Sequence, residues 1–317
     1  MKLDDIRTIA GIGTGTMGSG TALAFALGGY RIKMYGRSQA SIERGQQKIR
    51  EALDLLWKNG LVGEEKETVL ERIRGFTDLG SAVADANFVI ESVSENLEVK
   101  KAVFGYIEKI CSPEAILATN TSGLSPTLIS EALENKERFL VSHFWNPPHL
   151  MPIVELVPGK FTSVETVRLT GELLEAIGKK PVKLKREAPG FIGNRLQFAL
   201  LREALHIVEE GIASKEDVDR TMRFSLGRRL ADTGPLESAD LGGLDVFYNV
   251  ASYLFGDLAN TQEVSNLLKE PVSRGDLGAK TGKGIYPWPE SQLKETVRLR
   301  ERTLVEWLKR DREGQSR

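Results

Sequence analysis

In the N-terminal part of the chain, apolar residues form short runs that alternate with longer amphipathic stretches. Short apolar runs are typical of buried strands, and longer amphipathic stretches are typical of helices. The strand-like runs are residues 8–12, 31–35, 86–91, 115–119, 139–142, 153–157 and 181–184. The helical patterns are residues 19–27, about 38–58, 64–73, 97–110 and 164–177. This alternation predicts an α/β fold with a doubly wound, mostly parallel sheet.

The pattern changes after the segment Ala188-Pro189-Gly190, where strand-like runs nearly disappear. Helical patterns follow at 192–210, 241–255, 261–268 and 291–309. Ser214 begins a further helix with acidic residues in its first turn. We therefore predict two domains with a boundary near Glu187. The first comprises residues 1–187 and includes a helical hairpin at about 38–73, and the second is an all-helical domain of residues 188–317.

A glycine-rich turn joins the first strand to the first helix, with the sequence Gly13-Thr14-Gly15-Thr16-Met17-Gly18. Gly13 permits a tight turn, Gly15 lets the backbone approach a pyrophosphate, and Gly18 lets the helix pack against the strand. Thr16 and Met17 lie directly before the helix predicted at 19–27, whose free N–H groups favour phosphate. This context predicts a Rossmann-type dinucleotide-binding unit. The alternative is a glycine-rich turn of another α/β protein.

The end of the second strand bears on the choice of cofactor. NAD-binding units usually place an acid there to bind the ribose 2′-hydroxyl, whereas this chain has Gly36 followed by Arg37. The missing carboxylate removes repulsion against a 2′-phosphate, and Arg37 has the geometry to pair with that phosphate. The sequence therefore favours NADP(H). The alternative is that Arg37 is a solvated surface charge and that the protein uses NAD(H).

The composition is that of a globular protein. The 317 residues have a net charge of −1, with 41% hydrophobic and 27% charged residues. There is no basic patch for nucleic acid, and no apolar run approaches the length of a membrane span. The acidic N-terminus leads directly into the first strand, which argues against a secretory signal. Cys111 is the only cysteine and no Cys/His cluster has metal-ligand spacing, so we expect a cytoplasmic protein without a metal.

Several polar residues follow the predicted strands, where ligands of open α/β sheets bind. They include Glu91, Ser122, His143 and Asn146. Glu155 lies twelve residues after His143, beyond a Pro-Pro reversal that could return the chain beside it. A histidine–carboxylate pair suits proton transfer, because an imidazole titrates near pH ~6.5 and the carboxylate stabilises its charged form. With a nicotinamide as hydride acceptor, His143 is the expected base for an alcohol proton.

Six segments of the chain carry a resemblance to a known family. They are the glycine turn at 13–18, Glu95-Asn96-Leu97 with Lys100, Asn120-Thr121-Ser122, His143-Phe144-Trp145-Asn146-Pro147, residues 189–196 and Gly282-Lys283-Gly284-Ile285-Tyr286. Over nearly its whole length the sequence resembles the 3-hydroxyacyl-CoA dehydrogenase family. The resemblance implies an NAD(P)-dependent dehydrogenase acting on a small-molecule substrate.

The resemblance also implies roles for individual residues. It implies that His143 is the catalytic base with Glu155 as its partner, and that Ser122 and Asn194 bind the substrate oxygen. The positions that match the nicotinamide half of the cofactor site are Glu95, Lys100, Asn120 and Ser122. It further implies that the helical domain closes the cleft and forms the interface of a homodimer.

One departure from the family pattern leaves the substrate open. Where acyl-CoA-specific members have a serine and several lysines in the helical hairpin, this chain has Ala52 and Asn59, and only Lys58 remains. The family as a whole favours a 3-hydroxyacyl-CoA. The alternative is a free 3-hydroxy acid or related small alcohol, as in the branches acting on L-gulonate, carnitine or pyridoxine-breakdown products. A non-catalytic, crystallin-like dinucleotide binder is a third possibility, against which the retained His143, Glu155 and Asn194 argue.

Overall fold

The computed structural model describes residues 1–314, and within them eight strands form one sheet. The strands are β1 (Thr8–Ile12), β2 (Arg31–Tyr35), β3 (Ile73–Phe76), β4 (Phe88–Glu91), β5 (Ile116–Thr119), β6 (Phe139–Phe144), β7 (Ile153–Pro158) and β8 (Lys180–Lys183). Their order is β3-β2-β1-β4-β5-β6-β7-β8. Neighbours are parallel except β6 and β7, which are antiparallel. The predicted α/β class, with a mostly parallel sheet and a helical C-terminal part, is confirmed.

The helices between the strands are largely those that the sequence predicts. They are α1 (Thr16–Leu27), α2 (Gln39–Lys58), α3 (Lys66–Glu71), α4 (Leu79–Val83), α5 (Leu97–Glu108), α6 (Pro126–Ser130) and α7 (Val164–Ala176). Ser38 is the N-cap of α2, and its hydroxyl accepts a hydrogen bond from the backbone N–H of Ser41 at 3.2 Å. Helices α4 and α6 were not predicted, because each has only five residues and shows no periodicity.

Residues 64–73, predicted as one helix, instead form α3 and the start of edge strand β3. β3 pairs in parallel with β2. A methyl group at Gly75 would lie 2.3 Å from Cγ2 of Ile42, so α2 can pack this closely on β3 only because residue 75 is glycine. The pattern missed this strand because a short edge strand with two exposed positions has no continuous apolar run.

Helices cover both faces of the sheet, as expected when strands and helices alternate along the chain. Ile9 and Ile90 belong to one hydrophobic cluster, whereas Ala10 and Val89 belong to another. Adjacent strand residues point to opposite faces, so these two clusters lie on opposite sides of the sheet. Strands buried on both faces are expected for a parallel sheet.

Backbone contacts divide the chain into two compact units. The first comprises residues 1–194 together with the chain from Leu299 onward, and the second comprises 195–298. The last helix, α14 (Glu290–Glu313), therefore begins in the second unit, and its Val305 and Leu308 are buried in the core of the first. The domain division predicted near Glu187 places this segment in the second domain, because a boundary drawn at one change of pattern assigns everything after it to one domain.

The second unit is helical. Its elements are α8 (Gly193–Glu209, which begins in the first unit), α9 (Lys215–Phe224), α10 (Leu226–Arg229), α11 (Pro235–Gly242), α12 (Leu244–Leu254) and α13 (Asn266–Ser273). The helix predicted at 241–255 is interrupted at Gly243, whose φ of +91° is incompatible with a continuous helix. The helix predicted at 261–268 begins later, at α13, where Ser265 is the N-cap.

Candidate active site

The glycine turn after β1 has the geometry that a dinucleotide pyrophosphate needs. Gly13 has a φ of +119°, and a methyl group there would lie 2.6 Å from the carbonyl oxygen of Ser92. A methyl group at Gly18 would lie 2.2 Å from the carbonyl oxygen of Gly13, whereas one at Gly15 would meet nothing within 4 Å. Helix α1 begins at Thr16, with Met17 next in its first turn. The backbone at Gly15 is therefore open to a phosphate in front of the helix N-terminus.

Side chains of neighbouring residues pack closely around Gly36. A methyl group there would lie 2.6 Å from Oγ of Ser41 and 2.9 Å from Cγ2 of Thr14. The Gly36 N–H donates to the carbonyl oxygen of Phe76 at 3.0 Å. A larger side chain at residue 36 would therefore need the side chains of Ser41 and Thr14 to move. The Arg37 side chain follows directly and is exposed.

The antiparallel pairing of β6 and β7 places His143 opposite Glu155. Nδ1 of His143 and Oε2 of Glu155 are 2.8 Å apart, and both residues are buried, with exposures of 7% and 1%. Hydrogen bonding to the carboxylate holds the imidazole with its proton on Nδ1 and leaves Nε2 as the nitrogen for proton exchange. The arrangement is that of a general base with an orienting carboxylate.

Glu155 accepts hydrogen bonds from three groups besides His143. Its Oε1 accepts from the backbone N–H groups of Ile192 at 2.9 Å and Gly193 at 3.0 Å, and its Oε2 accepts from Nε1 of Trp145 at 3.2 Å. Burial raises the pKa of this carboxyl, but hydrogen bonds from His143, the two backbone groups and Trp145 outweigh burial and lower it to about 2. Glu155 is therefore ionised at neutral pH.

Aromatic side chains pack around the imidazole. The ring centroids of Trp145 and Phe191 lie 5.9 Å and 5.6 Å from that of His143. A methyl group at Gly193 would lie 2.1 Å from Cζ2 of Trp145, so the indole can lie against the backbone only because residue 193 is glycine. Phe191 has a φ of +54°, which is unusual for a bulky residue and costs local strain at the start of α8.

Ser122 and Asn194 meet at the end of β5. Nδ2 of Asn194 donates to the carbonyl oxygen of Ser122 at 3.0 Å. Asn120 holds the neighbouring strand end, because its Oδ1 accepts from the backbone N–H of Phe144 at 2.8 Å. No hydrogen bond within residues 1–314 joins His143 directly to Ser122 or Asn194. Asn120 is therefore the link that fixes the loop after β5 beside the end of β6.

Glu95 and Lys100 differ in accessibility. Oε1 of Glu95 accepts from the Ser122 N–H at 3.0 Å and from the Thr121 hydroxyl, and the Glu95 side chain is partly exposed. Lys100 is only 1% exposed, and its Nζ lies 2.8 Å from Oε1 of buried Glu91 and 3.4 Å from Oε2 of Glu95. The expectation that Lys100 lines the cofactor surface does not fit this burial. Lys100 instead orients the Glu95 side chain from the buried side of the site, through the 3.4 Å contact.

Sequence reasoning missed three of the four donors to Glu155. Within the segment 189–196, a role is predicted only for Asn194. The turn through Gly190, which has a φ of +75°, also places the N–H groups of Ile192 and Gly193 within hydrogen-bond distance of Glu155. Trp145 has no predicted role beyond its place in the family segment 143–147. Side-chain identity gives no signal for a backbone donor, so only the fold could show this cluster.

Two further types of site have no candidate within the described residues 1–314. No group of three or more His, Cys, Asp or Glu side chains there is placed to hold a metal ion. No helix in the same range is both long and apolar enough to cross a membrane.

Comparison with known proteins identifies the family. Residues 8–188 match the family model of the 3-hydroxyacyl-CoA dehydrogenase NAD binding domain, and residues 190–288 match that of the C-terminal domain. The chain is 36% identical to 5-formyl-3-hydroxy-2-methylpyridine 4-carboxylate 5-dehydrogenase of Mesorhizobium japonicum, over 95% of this chain and 96% of that protein.

Solved structures agree with the family match. A crystal structure of 5-formyl-3-hydroxy-2-methylpyridine 4-carboxylic acid 5-dehydrogenase, described as an NAD⁺-dependent dismutase, superposes with a TM-score of 0.89 at 36% identity, covering 95% of this chain and 96% of that one. The (S)-3-hydroxybutyryl-CoA dehydrogenase of Ralstonia eutropha superposes with a TM-score of 0.75 at 34% identity, covering 90% and 100%. The chain therefore belongs to the 3-hydroxyacyl-CoA dehydrogenase family and is an oxidoreductase that uses a nicotinamide cofactor.

Proposed function

We propose that this protein interconverts an alcohol and a carbonyl group of a small carboxylate substrate that carries no CoA, with His143 as general base and acid. The observation that carries the catalytic part is the buried His143–Glu155 pair, held at 2.8 Å at the end of a sheet whose first turn fits a dinucleotide. A bound nicotinamide supplies the hydride acceptor or donor. The protein must then exchange the remaining proton with the substrate oxygen.

His143 takes up that proton at Nε2 when the alcohol is oxidised and returns it when the carbonyl is reduced. Glu155, whose pKa is about 2, stays ionised throughout and stabilises the imidazolium that forms. The apolar contacts of Trp145 and Phe191 limit water around the pair, which strengthens the interaction between the two charges.

Ser122 and Asn194 bind the substrate oxygen in this proposal. The Asn194 amide has two N–H protons, and one of them is used by the Ser122 carbonyl oxygen. The other proton is a donor that can stabilise negative charge as it develops on the oxygen. The Ser122 hydroxyl, which donates to Oε1 of Glu95 at the long distance of 3.4 Å, is the second donor once it rotates towards the substrate. Glu95 fixes the Ser122 backbone and so positions both donors.

The helical hairpin formed by α2 and α3 supports a substrate without CoA. The Asn59 side chain donates to the carbonyl oxygen of Leu55 at 2.8 Å, and Lys66 is paired with Asp54 at 2.7 Å. Lys58 is the cation that remains exposed at the family's CoA position. One lysine gives weak charge compensation for a diphosphate and a 3′-phosphate. The structural match to a dehydrogenase named for a pyridine carboxylate, with a TM-score of 0.89, also supports a substrate without CoA.

A 3-hydroxyacyl-CoA is the second candidate. The two family models together span residues 8–288, and the Ralstonia 3-hydroxybutyryl-CoA dehydrogenase is covered over its full length. The segment Gly282-Lys283-Gly284-Ile285-Tyr286, which this chain shares with the CoA-specific members, supports this candidate.

Initial rates of cofactor oxidation distinguish the two candidates. We would compare acetoacetyl-CoA, free acetoacetate and 5-formyl-3-hydroxy-2-methylpyridine 4-carboxylate at equal concentrations. Turnover of a free acid with little turnover of the thioester is the expected result. Preferred turnover of acetoacetyl-CoA would establish the second candidate. Cofactor binding without turnover of any 3-hydroxy or 3-keto compound would instead indicate the non-catalytic dinucleotide binder.

We further propose that Gly36 and Arg37 favour NADP(H). The support is electrostatic, because the end of β2 carries no acid at residue 36 and presents the exposed guanidinium of Arg37. Replacing Arg37 by Ala should raise the KM for NADPH by roughly 10-fold or more, as expected for the loss of a charge-assisted pair of about 1.5–3 kcal/mol, and leave the KM for NADH unchanged. The matched control is Arg50→Ala on α2. KM values for NADPH and NADH that are equal in the wild type, and again equal in Arg37→Ala, would contradict the proposal.

A cytoplasmic homodimer formed through the second compact unit completes the proposal. Its support is the apolar surface of residues 195–298, where Leu236, Leu241 and Phe255 are at least 74% exposed. Exposed apolar patches of this kind mark interaction surfaces. Sedimentation equilibrium measures the association directly, and a monomer at micromolar concentration would contradict it.

A further inference from the structure

A cavity of about 280 Å³ lies within the first compact unit. Its walls come from the end of α1, the end of α2 and the loop that follows, the turn between β6 and β7, the turn between α7 and β8, and the last helix, α14. None of its lining residues belongs to the group around His143, Glu155 or Ser122. The cavity is therefore separate from the site proposed for catalysis.

Two cations of this cavity, Lys179 and Arg312, are held by backbone carbonyl oxygens. Nζ of Lys179 donates to the carbonyl oxygens of Pro148 at 2.6 Å and Met151 at 3.0 Å, which uses two of its three protons. Nη1 of Arg312 donates to the carbonyl oxygen of Leu61 at 2.6 Å. Across residues 1–314, neither Lys179 nor Arg312 forms an ion pair with a carboxylate. Both keep donors for an additional acceptor.

The acids at the cavity are already paired. Glu64 receives two hydrogen bonds from the Arg72 guanidinium, at 2.6 and 2.7 Å, and Asp311 lies 3.3 Å from Nζ of Lys180. The cavity therefore has a net positive charge. Burial and, to a lesser extent, the charge of Arg312 lower the pKa of Lys179 to about 8. An anion in the cavity would offset the cost of keeping this ammonium charged.

The other residues that line the cavity determine which kind of anion it can bind. His149 lines the cavity and forms no hydrogen bond within residues 1–314, and burial, with a smaller effect of Lys179, lowers its pKa to about 4. A neutral imidazole can donate one hydrogen bond. Apolar side chains, among them Leu27, Leu56 and Leu308, complete the wall. A single charge attached to an apolar body suits this surface better than a multiply charged ion, because apolar walls disfavour unpaired charge.

We propose that this cavity binds a small organic carboxylate, whose oxygens are held by Lys179 and Arg312 and whose apolar part lies against Leu27, Leu56 and Leu308. The proposal does not depend on the substrate of the dehydrogenase. It assigns to α14 a ligand-binding role in addition to its packing in the first unit.

Titration calorimetry with hexanoate tests the proposal, with hexanamide as the neutral probe of the same shape. We expect hexanoate to bind at least 10-fold more tightly than hexanamide. Arg312→Gln should weaken hexanoate binding at least 10-fold, because the amide keeps a donor for Leu61 but loses the charge. Arg300→Gln, an exposed position of the same helix outside the cavity, is the control. Equal binding of the two probes, or equal loss in both variants, would overturn the proposal.

Nuclear magnetic resonance of the histidine rings locates the bound hexanoate without any substitution. The chain has three histidines, so His143, His149 and His206 give separable signals. We expect hexanoate to move the His149 signal and leave the other two in place. Movement of the His143 signal alone would place hexanoate in the active site and overturn the assignment.

Discussion

The two compact units differ in how they bury apolar side chains. In the first, the five central strands β1, β4, β5, β6 and β7 are almost wholly buried, and hydrophobic clusters cover both faces of the sheet. Among residues 195–298, Leu205 is the one buried residue. The first unit has a core of its own, whereas the helices of the second leave their apolar side chains exposed.

Helix α12 shows what this difference means. Its residues Phe247, Tyr248 and Tyr253 are 46%, 73% and 71% exposed. A helix that is apolar over much of its surface needs a partner surface, because burial of apolar area is the main term that stabilises folded proteins. The proposed active-site residues all lie in the first unit, at its strand ends and at the start of α8. The site is therefore held by a self-sufficient unit, and the second unit presents the apolar surface on which the proposed association rests.

The largest effect should come from the pair at the ends of β6 and β7. His143→Ala and Glu155→Gln should each lower kcat by roughly 10²–10⁴-fold, the range for lost general-base catalysis. Cofactor affinity should stay unchanged, because neither residue belongs to the glycine turn. His206→Ala, a substitution in the second unit, is the control and should leave kcat within about twofold. Near-normal kcat in either site variant would remove His143 from the proposed role.

A charged side chain introduced on α12 should disrupt the apolar surface of the second unit. Tyr248→Glu should weaken self-association roughly 30-fold or more, the size expected when a central interface residue worth about 2 kcal/mol is lost. Asn249→Glu adds the same charge at the adjacent, exposed position and should have a much smaller effect. Sedimentation equilibrium measures both. If neither variant changes the association, α12 is not part of the interface and the comparison between the units needs another explanation.

The sequence predicted the first unit better than the second, for a physical reason. Strands β1 and β2 were predicted residue for residue, because a buried parallel strand bounded by turns has a continuous apolar pattern. The helix predicted at 241–255 was wrong in its continuity, because the apolar pattern of Leu241, Leu244 and Phe247 continues across Gly243, whose φ of +91° ends α11 and begins α12. Periodicity follows side chains and gives no signal for a break that lies in the backbone.

The same limit applies within the site. The facing positions of His143 and Glu155 follow from the Pro147-Pro148 reversal between two apolar runs, which the sequence displays. The N–H groups of Ile192 and Gly193 on Glu155 come from a segment distant in sequence, and they belong to the backbone. Such contacts depend on the tertiary path and are not encoded in the local residue types.

Acid should destabilise the first unit through His149. Burial, and then Lys179, lower its pKa in the folded state to about 4 from an ordinary value near 6.5. Between these two values the unfolded chain binds the proton and the folded protein does not, so stability falls as the pH drops from about 6.5 to about 4. The loss can reach about 3 kcal/mol, since one pKa unit corresponds to about 1.4 kcal/mol.

Urea unfolding at several pH values measures this effect. His149→Gln removes the group that binds the proton. The free energy of unfolding of this variant should therefore change less than that of the wild type between pH 6.5 and 4. His206→Gln is the control in the second unit and should keep the wild-type slope. An identical slope in His149→Gln and wild type would show that His149 does not resist protonation in the folded protein.

The smallest effect should come from Trp145, which ties the packing around the imidazole to the electrostatics of Glu155. Trp145→Phe keeps an aromatic ring near Gly193 but removes the 3.2 Å hydrogen bond to Oε2. Three donors remain on the carboxylate, so the expected loss is about 1 kcal/mol, or roughly fivefold in kcat. Losing one donor should also raise the pKa of Glu155 from about 2, but the carboxyl stays ionised at neutral pH, so the loss reflects the position of the carboxylate and not its charge. Wild-type kcat in Trp145→Phe would mean that the two backbone N–H groups and His143 suffice to hold Glu155 in place.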